Sequence, residues 1–278
     1  MTVDRYAVLG NPVAHSRSPV IHAAFARQTG QLISYERVLC PLDGFADSVR
    51  AFQAAGGRGC NVTVPFKFEA RDLAVRCSDR AALAGAANVL RFDADGCFAD
   101  NSDGIGLVRD IEHGAGMPLA GMRVLLVGAG GAAAGVLGPL LQAQPAAVVV
   151  ANRTADKALA LVDRHADLAR KHGAALHATG LNAPGTGFDI VLNASASSLQ
   201  GAASPVRASV LAPGALAVDL MYGPTAEPFL AWARAAGAQA RDGLGMLVEQ
   251  AAEAFWLWRS VRPETAPVLQ AIREQANV

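Results

Sequence analysis

The sequence carries no net charge, because its 24 lysines and arginines balance its 24 aspartates and glutamates. Proteins that bind nucleic acid or an anionic membrane surface normally have a basic excess, so neither partner is expected. Charged residues are also scarce, at 17%, whereas hydrophobic residues make up 52%. This composition excludes a disordered chain, and 278 residues are enough for two domains of ordinary size.

Cysteines are few and widely spaced. Cys40, Cys60, Cys77 and Cys97 form no C-x-x-C pair, which argues against a zinc site and against a disulfide framework. The six histidines are scattered without the spacing of metal ligands. The first residues begin a strand where a signal peptide would need an unbroken apolar region. We therefore expect no metal, buried thiols and a cytoplasmic protein, either a monomer or a homodimer.

A stretch without charge from Val124 to Ala151 is long enough on paper to span a membrane. It contains five glycines and two prolines, however, and it divides into strand, turn, helix and strand. No membrane span is expected there.

Short β-rich runs alternate with alanine-rich helical stretches, which predicts an α/β protein with parallel sheets and crossover helices. The expected strands are 6–10, 34–39, 59–64, 123–127, 147–151, 190–193 and 215–219, with a hairpin of 89–92 and 97–100. The expected helices are 19–29, 45–55, 104–113, 154–172 and 226–236, with others after Pro65 and Gly131. The end of the chain reads as two helices, 244–261 and 264–276, which are too little for a domain and should pack back onto one of the αβ units.

The strongest single motif is a glycine-rich turn, Gly128-Ala129-Gly130-Gly131-Ala132-Ala133, which follows an apolar strand and opens a helix. A G-x-G-x-x-A turn lets the backbone approach a pyrophosphate, which then binds at the positive end of the helix. Tight packing alone could also explain such a loop, but the strand, turn, helix and second strand fall at the spacing of a Rossmann-type, doubly wound domain. Pro139 predicts a kink in the helix.

The second strand of this domain indicates which dinucleotide binds. An NAD site usually ends that strand with a carboxylate for the ribose 2′-hydroxyl. Here Asn152-Arg153-Thr154 follows, with Lys157 one turn into the next helix. Arg153 suits a 2′-phosphate, whereas two cations at a helix start would otherwise oppose the helix dipole. NADP is therefore the expected cofactor.

Polar clusters also follow the strands of the first αβ unit. Their members are Ser16 and Ser18 before Pro19, Asn61, Thr63 and Lys67 in Asn-Val-Thr-Val-Pro-Phe-Lys, and Asp100, Asn101 and Asp103 in Asp-Asn-Ser-Asp-Gly. Helix capping by a serine or by Asp103 explains part of this pattern. A ligand carboxylate for the second serine and a site for Lys67 explain the rest.

Together with Gly85-Ala-Ala-Asn88, the Gly128–Ala132 loop, Asn152-Arg153-Thr154 and Gly245-Met246-Leu-Val-x-Gln250, these clusters resemble the shikimate dehydrogenase family. The motifs occur in the family's order over nearly the whole chain. The resemblance implies reversible, NADPH-dependent reduction of 3-dehydroshikimate to shikimate. It also implies a substrate domain at 1–103, a Rossmann-type NADP domain at 104–240, and helices at 241–278 that return to the substrate domain.

The resemblance further implies roles for individual residues. Lys67 and Asp103 would be catalytic, and which of them moves the proton stays open. The substrate would be held by Ser16, Ser18, Thr63, Asn88, Tyr222 and Gln250. The cofactor would be held by Gly128, Ala129, Gly130, Gly131, Ala132, Asn152, Arg153, Thr154, Lys157, Met221 and Gly243.

The sequence departs from the family pattern at a few positions. Val89, Ser102 and Ser195 stand where threonine is common, and the stretch 196–204 is atypical, so no nicotinamide contacts are assigned to it. Two alternatives stay open: a broader quinate/shikimate dehydrogenase or paralogue acting on a related ring, and a cofactor-binding sensor without chemistry. A sensor would be expected to lose Lys67 or Asp103, and both are present.

Overall fold

A computed structural model describes residues 3–195, 197 and 204–276. Contacts divide the chain into two compact units: unit 1 is Met1–Gly106 with Leu247–Val278, and unit 2 is Leu107–Met246. The last helix, and the helix before it from Leu247 onward, therefore belong to unit 1. The chain is an α/β protein of two units, one of them Rossmann-like, which confirms the predicted fold class.

The described strands are β1 (Asp4–Gly10), β2 (Ile33–Leu39), β3 (Gly57–Val62), β4 (Arg76–Cys77), β5 (Val89–Asp93), β6 (Gly96–Asp100), β7 (Arg123–Val127), β8 (Ala147–Asn152), β9 (Ala175–Gly180), β10 (Phe188–Asn193), β11 (Leu211–Asp219) and β12 (Gln239–Arg241). The described helices are α1 (Ser18–Thr29), α2 (Phe45–Ala54), α3 (Lys67–Leu73), α4 (Asp79–Ala84), α5 (Asp103–Arg109), α6 (Gly131–Gln142), α7 (Ala155–Lys171), α8 (Glu227–Ala235), α9 (Leu244–Arg259) and α10 (Ala266–Ala276).

Unit 1 is built on a mixed sheet with the strand order β2-β1-β3-β5-β6-β4. The pairs β1–β2 and β1–β3 are parallel, as expected for strands joined by crossover helices. The predicted hairpin is confirmed, with β5 antiparallel to β6 and Asp93 opposite Gly96. Apolar side chains of β1, β3, α2 and α3 form its buried core, among them Leu9 and Phe45, together with Phe66, which directly precedes α3.

Unit 2 is built on a sheet whose described pairs are all parallel, in the order β12-β11-β10-β7-β8-β9. Strands β7 and β10 are neighbours in the middle of this sheet. From β7 the chain continues to β8 on one side of the pair, and from β10 it continues to β11 on the other side. Doubly wound sheets bind their ligands at such a point. Strand β7 ends at Val127, directly before the glycine-rich turn, so the fold places that turn at the expected position.

Several element boundaries differ from the predictions. Strand β3 ends at Val62 rather than at residue 64, because Pro65 has no N–H to continue the ladder. The helix predicted at 104–113 begins at Asp103, ends at Arg109 and continues as a π-helical turn, Asp110–Gly114. Helix α6 continues past Pro139 to Gln142. The sequence also failed to predict β4, α4, β9 and β12, which are short or lie at sheet edges.

The four cysteines are free thiols, but the expectation that all are buried is wrong. Cys40 and Cys60 are buried, whereas Cys77 and Cys97 are partly exposed. All four pack in or against the core of unit 1. Burial raises the pKa of Cys97 to about 11, so this thiol stays protonated and unreactive at neutral pH.

No helix among the described residues combines the length and the apolar character that a membrane crossing needs. The uncharged stretch noted in the sequence is divided, as predicted, between β7, α6 and β8. Within the same residues, no group of three or more histidine, cysteine or carboxylate side chains is placed to hold a metal ion.

Candidate active site

A lysine and a carboxylate meet at the centre of unit 1. Lys67 is the first residue of α3 and Asp103 is the first residue of α5, and Lys67 Nζ lies 2.5 Å from Asp103 Oδ2. The two side chains are only 15% and 6% exposed. An ion pair this sheltered from water is costly to form, so its presence needs hydrogen bonds that hold both groups.

Asn88 provides such hydrogen bonds. Its Nδ2 donates to the free oxygen of the carboxylate, Asp103 Oδ1, over 2.8 Å, and lies 3.0 Å from Gln250 Oε1. Its Oδ1 accepts from the backbone N–H of Ser102 over 2.8 Å. The two carboxylate oxygens of Asp103 therefore accept from different groups: Oδ1 accepts from the amide of Asn88, and Oδ2 accepts from the ammonium group of Lys67. Asn88 is buried and reaches residues on α5, on α9 and after β6, so it connects the elements around the lysine.

A second set of contacts fixes the backbone on which Asp103 stands. Asn101 Oδ1 accepts from the N–H of Asp103, and Asn101 Nδ2 donates to the carbonyl of Ala86. Asp100 accepts two bonds from Arg80, at 2.6 and 2.5 Å, and Arg80 also lies 3.2 Å from Glu253 on α9. The charged groups beneath the site thus tie β6 to α9, the helix that carries Gln250.

Ser16 and Thr63 lie on the segments that follow β1 and β3, and Ser18 is the first residue of α1. Ser16 and Ser18 hydroxyls are 3.2 Å apart, and Ser16 Oγ accepts from the N–H of Ser18 over 3.3 Å. The residue that precedes α1 is Arg17, with no side-chain cap, so capping does not use either hydroxyl as a true N-cap. The methyl group of Thr63 packs so closely on Gly10 that a Cβ there would overlap it.

In unit 2 the glycine-rich turn has the geometry that its sequence requires. Gly128 has a φ of +115°, and a Cβ on it would lie 2.9 Å from the backbone of Ala194. Gly130 precedes α6 and has open space where a side chain would stand. A ligand therefore has direct access to the first backbone N–H groups of α6, which suit a phosphate.

The residues at the end of β8 are followed by exposed side chains. Arg153, Thr154 and Lys157 face solvent, and Asn152 Nδ2 donates to the carbonyl of Thr154 over 2.9 Å. In the described part of the chain, no carboxylate pairs with the guanidinium of Arg153 or with the ammonium group of Lys157. Both cations are therefore available to a phosphate group.

The remaining residues that the resemblance singled out also lie in unit 2. The N–H of Gly243 donates to the carbonyl of Met221 over 2.8 Å, so these two residues are neighbours. A Cβ at Gly243 would overlap the carbonyl of Leu220. Tyr222, which follows Met221, is partly buried and belongs to unit 2, unlike the other expected substrate residues. Of the atypical stretch, residues 196 and 198–203 lie outside the described residues.

Sequence reasoning left three participants of this site without a role. Asn61 Nδ2 donates to the carbonyl of Asn88 over 3.2 Å, and its Oδ1 accepts from the hydroxyl of Tyr35 over 2.7 Å. Side chains alternate along a strand, so Asn61 and Thr63 share one face of the predicted strand 59–64, and this pattern could have predicted a place for Asn61 in the site. Arg80 and Glu253 had no such signal, because 173 positions separate them along the chain.

A parallel sheet with this glycine-rich turn, in one chain with a sheltered lysine–carboxylate pair, defines a two-domain dehydrogenase that uses a nicotinamide dinucleotide. Three sequence families match the chain: "Shikimate dehydrogenase substrate binding domain" at residues 8–90, "Shikimate / quinate 5-dehydrogenase" at 112–204 and "Shikimate 5'-dehydrogenase C-terminal domain" at 243–273.

Individual relatives agree. The shikimate dehydrogenase (NADP(+)) of Acidovorax sp. (strain JS42) is 64% identical over 270 residues, which is 97% of this chain and 96% of that protein. The structure of an Ael1 enzyme from Pseudomonas putida has a TM-score of 0.86 and 47% identity, and covers 96% of this chain and 97% of its own. Shikimate 5-dehydrogenase from Thermus thermophilus, in complex with NADP(H) and shikimate, has a TM-score of 0.84 and 33% identity over 98% of this chain and 99% of its own. This chain belongs to the shikimate dehydrogenase family.

Proposed function

We propose that the protein is an NADP-dependent shikimate dehydrogenase, an oxidoreductase that reversibly reduces 3-dehydroshikimate to shikimate in chorismate and aromatic amino acid biosynthesis. The observation that carries this proposal is the Lys67–Asp103 pair, held by Asn88 beside Gln250 in unit 1. A ketone that receives a hydride needs a proton on its oxygen, and this sheltered pair can carry that proton.

Substrate binding and cofactor binding are assigned to different parts of the chain. Residues 1–103 with the helices of 241–278 form the substrate domain, and residues 104–240 form the NADP domain. The family match at residues 8–90, described as a substrate binding domain, supports the first assignment. The glycine-rich turn and the exposed cations after β8 support the second.

Cofactor binding follows from the open N-terminus of α6. The backbone N–H groups that follow Gly130, at which a side chain would meet open space, bind the pyrophosphate, while the 2′-phosphate lies against Arg153, with Asn152, Thr154 and Lys157 beside it. NADPH, when bound, supplies the hydride. Met221 and Gly243, whose hydrogen bond joins two separate segments of unit 2, contribute further contacts to the cofactor.

Substrate binding uses neutral donors around the charged pair. Ser16 and Ser18 hydroxyls bind the substrate carboxylate. Thr63, Asn88 and Gln250 hold the ring hydroxyls, because each has an amide or hydroxyl group that both donates and accepts. The hydrogen bonds of Asn88 to Asp103 and to Gln250 support the assignment of the two amides.

The Lys67–Asp103 pair supplies the proton that the substrate oxygen receives. In the direction of reduction, Lys67 Nζ faces the carbonyl oxygen of the substrate and donates a proton as the alkoxide develops. Asp103 Oδ2, in contact with Nζ, keeps the ammonium group aimed and takes part in its reprotonation. The bond from Asn88 to Asp103 Oδ1 holds the carboxylate plane during this exchange.

The protein functions in the cytoplasm, as a monomer or a homodimer. Four free cysteines, of which two are partly exposed, suit a reducing compartment. Light scattering of the purified protein at several concentrations distinguishes the two oligomeric states.

Initial rates of cofactor reduction, with shikimate and quinate each tested against NADP and NAD, test the proposal. Activity confined to shikimate with NADP is expected. Comparable rates with quinate or with NAD would move the protein to the broader quinate/shikimate branch. An absence of turnover in all four pairings would contradict the proposal and favour a sensor or another ring substrate.

A further inference from the structure

The loop between β1 and α1 carries Ser16 and leads directly into Ser18, the first residue of α1, and hydrogen bonds join this loop to β2 or its end at both ends of the loop. Asn11 Nδ2 donates to the carbonyl of Cys40, directly after β2, over 2.8 Å. At the other end, Arg37 on β2 donates from Nε and Nη2 to the carbonyl of Ser16, over 3.0 and 2.6 Å. At Ser16, two N–H groups of one charged guanidinium donate to a single backbone carbonyl.

The charge of Arg37 is not neutralised within the protein. Its neighbour Glu36 points to the opposite face of the strand and pairs with Arg5 over 2.8 Å. In the part of the chain that the structure describes, no carboxylate lies within ion-pair distance of the Arg37 guanidinium. Two of its five N–H donors are used on Ser16, so donors and a full positive charge remain beside the loop.

A carboxylate ligand needs that charge. The hydroxyls of Ser16 and Ser18 donate hydrogen bonds but carry no charge, and they lie 3.2 Å apart where this loop meets α1. Lys67, the sheltered cation of unit 1, is already paired with Asp103. Arg37 donates hydrogen bonds to the backbone of Ser16. Because its side chain is exposed, its positive charge attracts anions from solvent.

We propose that Arg37 is a specificity residue for the acidic substrate: it holds Ser16 in place and supplies the positive charge that selects ligands bearing a carboxylate. This inference rests on the proposed function, because it takes shikimate as the ligand of the serine pair. Arg37 acts on substrate binding and leaves the hydride and proton steps to other residues.

Kinetics of Arg37→Gln and Arg37→Lys, with shikimate and with its uncharged methyl ester, test the proposal. Arg37→Gln is expected to raise the KM for shikimate about tenfold, the scale of one charge-assisted contact that solvent partly screens. The kcat and the KM for NADP should stay within about twofold of wild type, and kcat/KM for the ester should hardly change. Arg37→Lys keeps the charge but loses the fork, so it should recover part of the affinity for the acid.

The matched control is Arg5→Gln, which removes another exposed arginine that bonds a backbone carbonyl, that of Ala55 over 2.8 Å. It should leave both substrates unaffected. Ionic strength gives a second measurement: the KM of the wild type for shikimate should rise with added salt, and that of Arg37→Gln should rise less.

Three results distinguish the possibilities. An unchanged KM for shikimate in Arg37→Gln would overturn the inference. An equal loss on the acid and on the ester would also overturn it, because Arg37 would then only shape the loop. A wild-type protein that does not oxidise shikimate with NADP would instead refute the proposed function itself.

Discussion

Lys67 is a residue whose position on α3 is decided by local chemistry. It stands at the first helical position after Pro65 and Phe66, and the carbonyl of Lys67 accepts from the N–H of Ala87 over 2.8 Å. Its backbone is thereby fixed on one side by a helix start and on the other by the segment that carries Asn88. The ammonium group reaches Asp103 from this anchored base, so the pair is preorganised before any substrate arrives.

The first prediction concerns this lysine. Lys67→Ala should lower kcat by roughly 10²–10⁴, the usual contribution of a general acid–base group. The dissociation constant of NADPH, measured by fluorescence titration, should stay near that of the wild type, because Lys67 lies in unit 1. A variant that keeps near-normal turnover would remove Lys67 from the mechanism.

Arg153 supports a second prediction at the same scale. Its exposed guanidinium has no carboxylate partner in the described residues, so replacing Arg153 leaves no carboxylate without its ion-pair partner. Arg153→Ala should raise the KM for NADPH about tenfold to a hundredfold, the value of one lost charge-assisted contact. The KM for NADH should change little. Equal effects on the two cofactors would mean that Arg153 does not contact the 2′-phosphate.

At the scale of elements, α9 is joined to β6 by charge. Arg80 bonds Asp100 at the end of β6 and Glu253 on α9, and Arg262 bonds the other oxygen of Glu253 over 2.8 Å. The two carboxylates are only 5% exposed, whereas Arg80 is 21% exposed. Buried carboxylates of this kind are stable only while their partners are in place.

A third prediction tests this junction. Arg80→Met should destabilise the protein by about 3–5 kcal/mol, because it leaves two buried carboxylates without their shared partner. The control, Arg76→Met, removes an arginine that is 48% exposed and pairs with Asp95, and it should cost less than about 1 kcal/mol. Urea unfolding followed by circular dichroism measures both. Similar midpoints for the two variants would show that the Arg80 network adds no stability.

Much of the fold could be predicted at this scale, since strands with strong apolar runs such as β7 and β8 are recognisable from their composition. Strand β9, at the sheet edge, could not, because none of its residues, Ala175–Gly180, is fully buried and no apolar face results. For the site, the Lys67–Asp103 pair followed from motif resemblance. The network of Arg80 and Glu253 did not, because contacts between distant parts of a chain leave no trace in one sequence.

At the scale of the whole molecule, stability depends on a histidine with no part in the chemistry. His22 on α1 is completely buried, stacked on Tyr35 at 4.2 Å and close to Phe25 and Trp258. Burial lowers the pKa of His22 from 6.5 to about 3. The folded protein therefore keeps this imidazole neutral at pH values where an unfolded chain protonates it.

The fourth prediction follows from this difference. Above pH 6.5 the imidazole is neutral in both states, but between pH 6.5 and about 3 only the unfolded chain binds the proton. The free energy of unfolding should therefore fall with falling pH by up to about 1.4 kcal/mol per pH unit from this group. His22→Phe, which keeps a ring against Tyr35, should reduce the slope in urea unfolding between pH 6.5 and about 4.5.

The exposed histidine His177 provides the control, and His177→Gln should leave the slope as in the wild type. Equal slopes for the wild type and His22→Phe would show that other groups dominate the acid response.

The discontinuity of unit 1 has a consequence for how the protein is made. Residues 1–106 leave the ribosome first, but Gln250 and Glu253, which complete the contacts to Asn88 and Arg80, emerge only after the whole of unit 2. At roughly 5–20 residues per second, the synthesis of unit 2 takes on the order of ten seconds. During this time the guanidinium of Arg80 and the amide of Asn88 lack the groups that α9 contributes. Unit 2 is continuous and can fold first, so the contacts around Asn88 and Arg80 are complete only when α9 emerges.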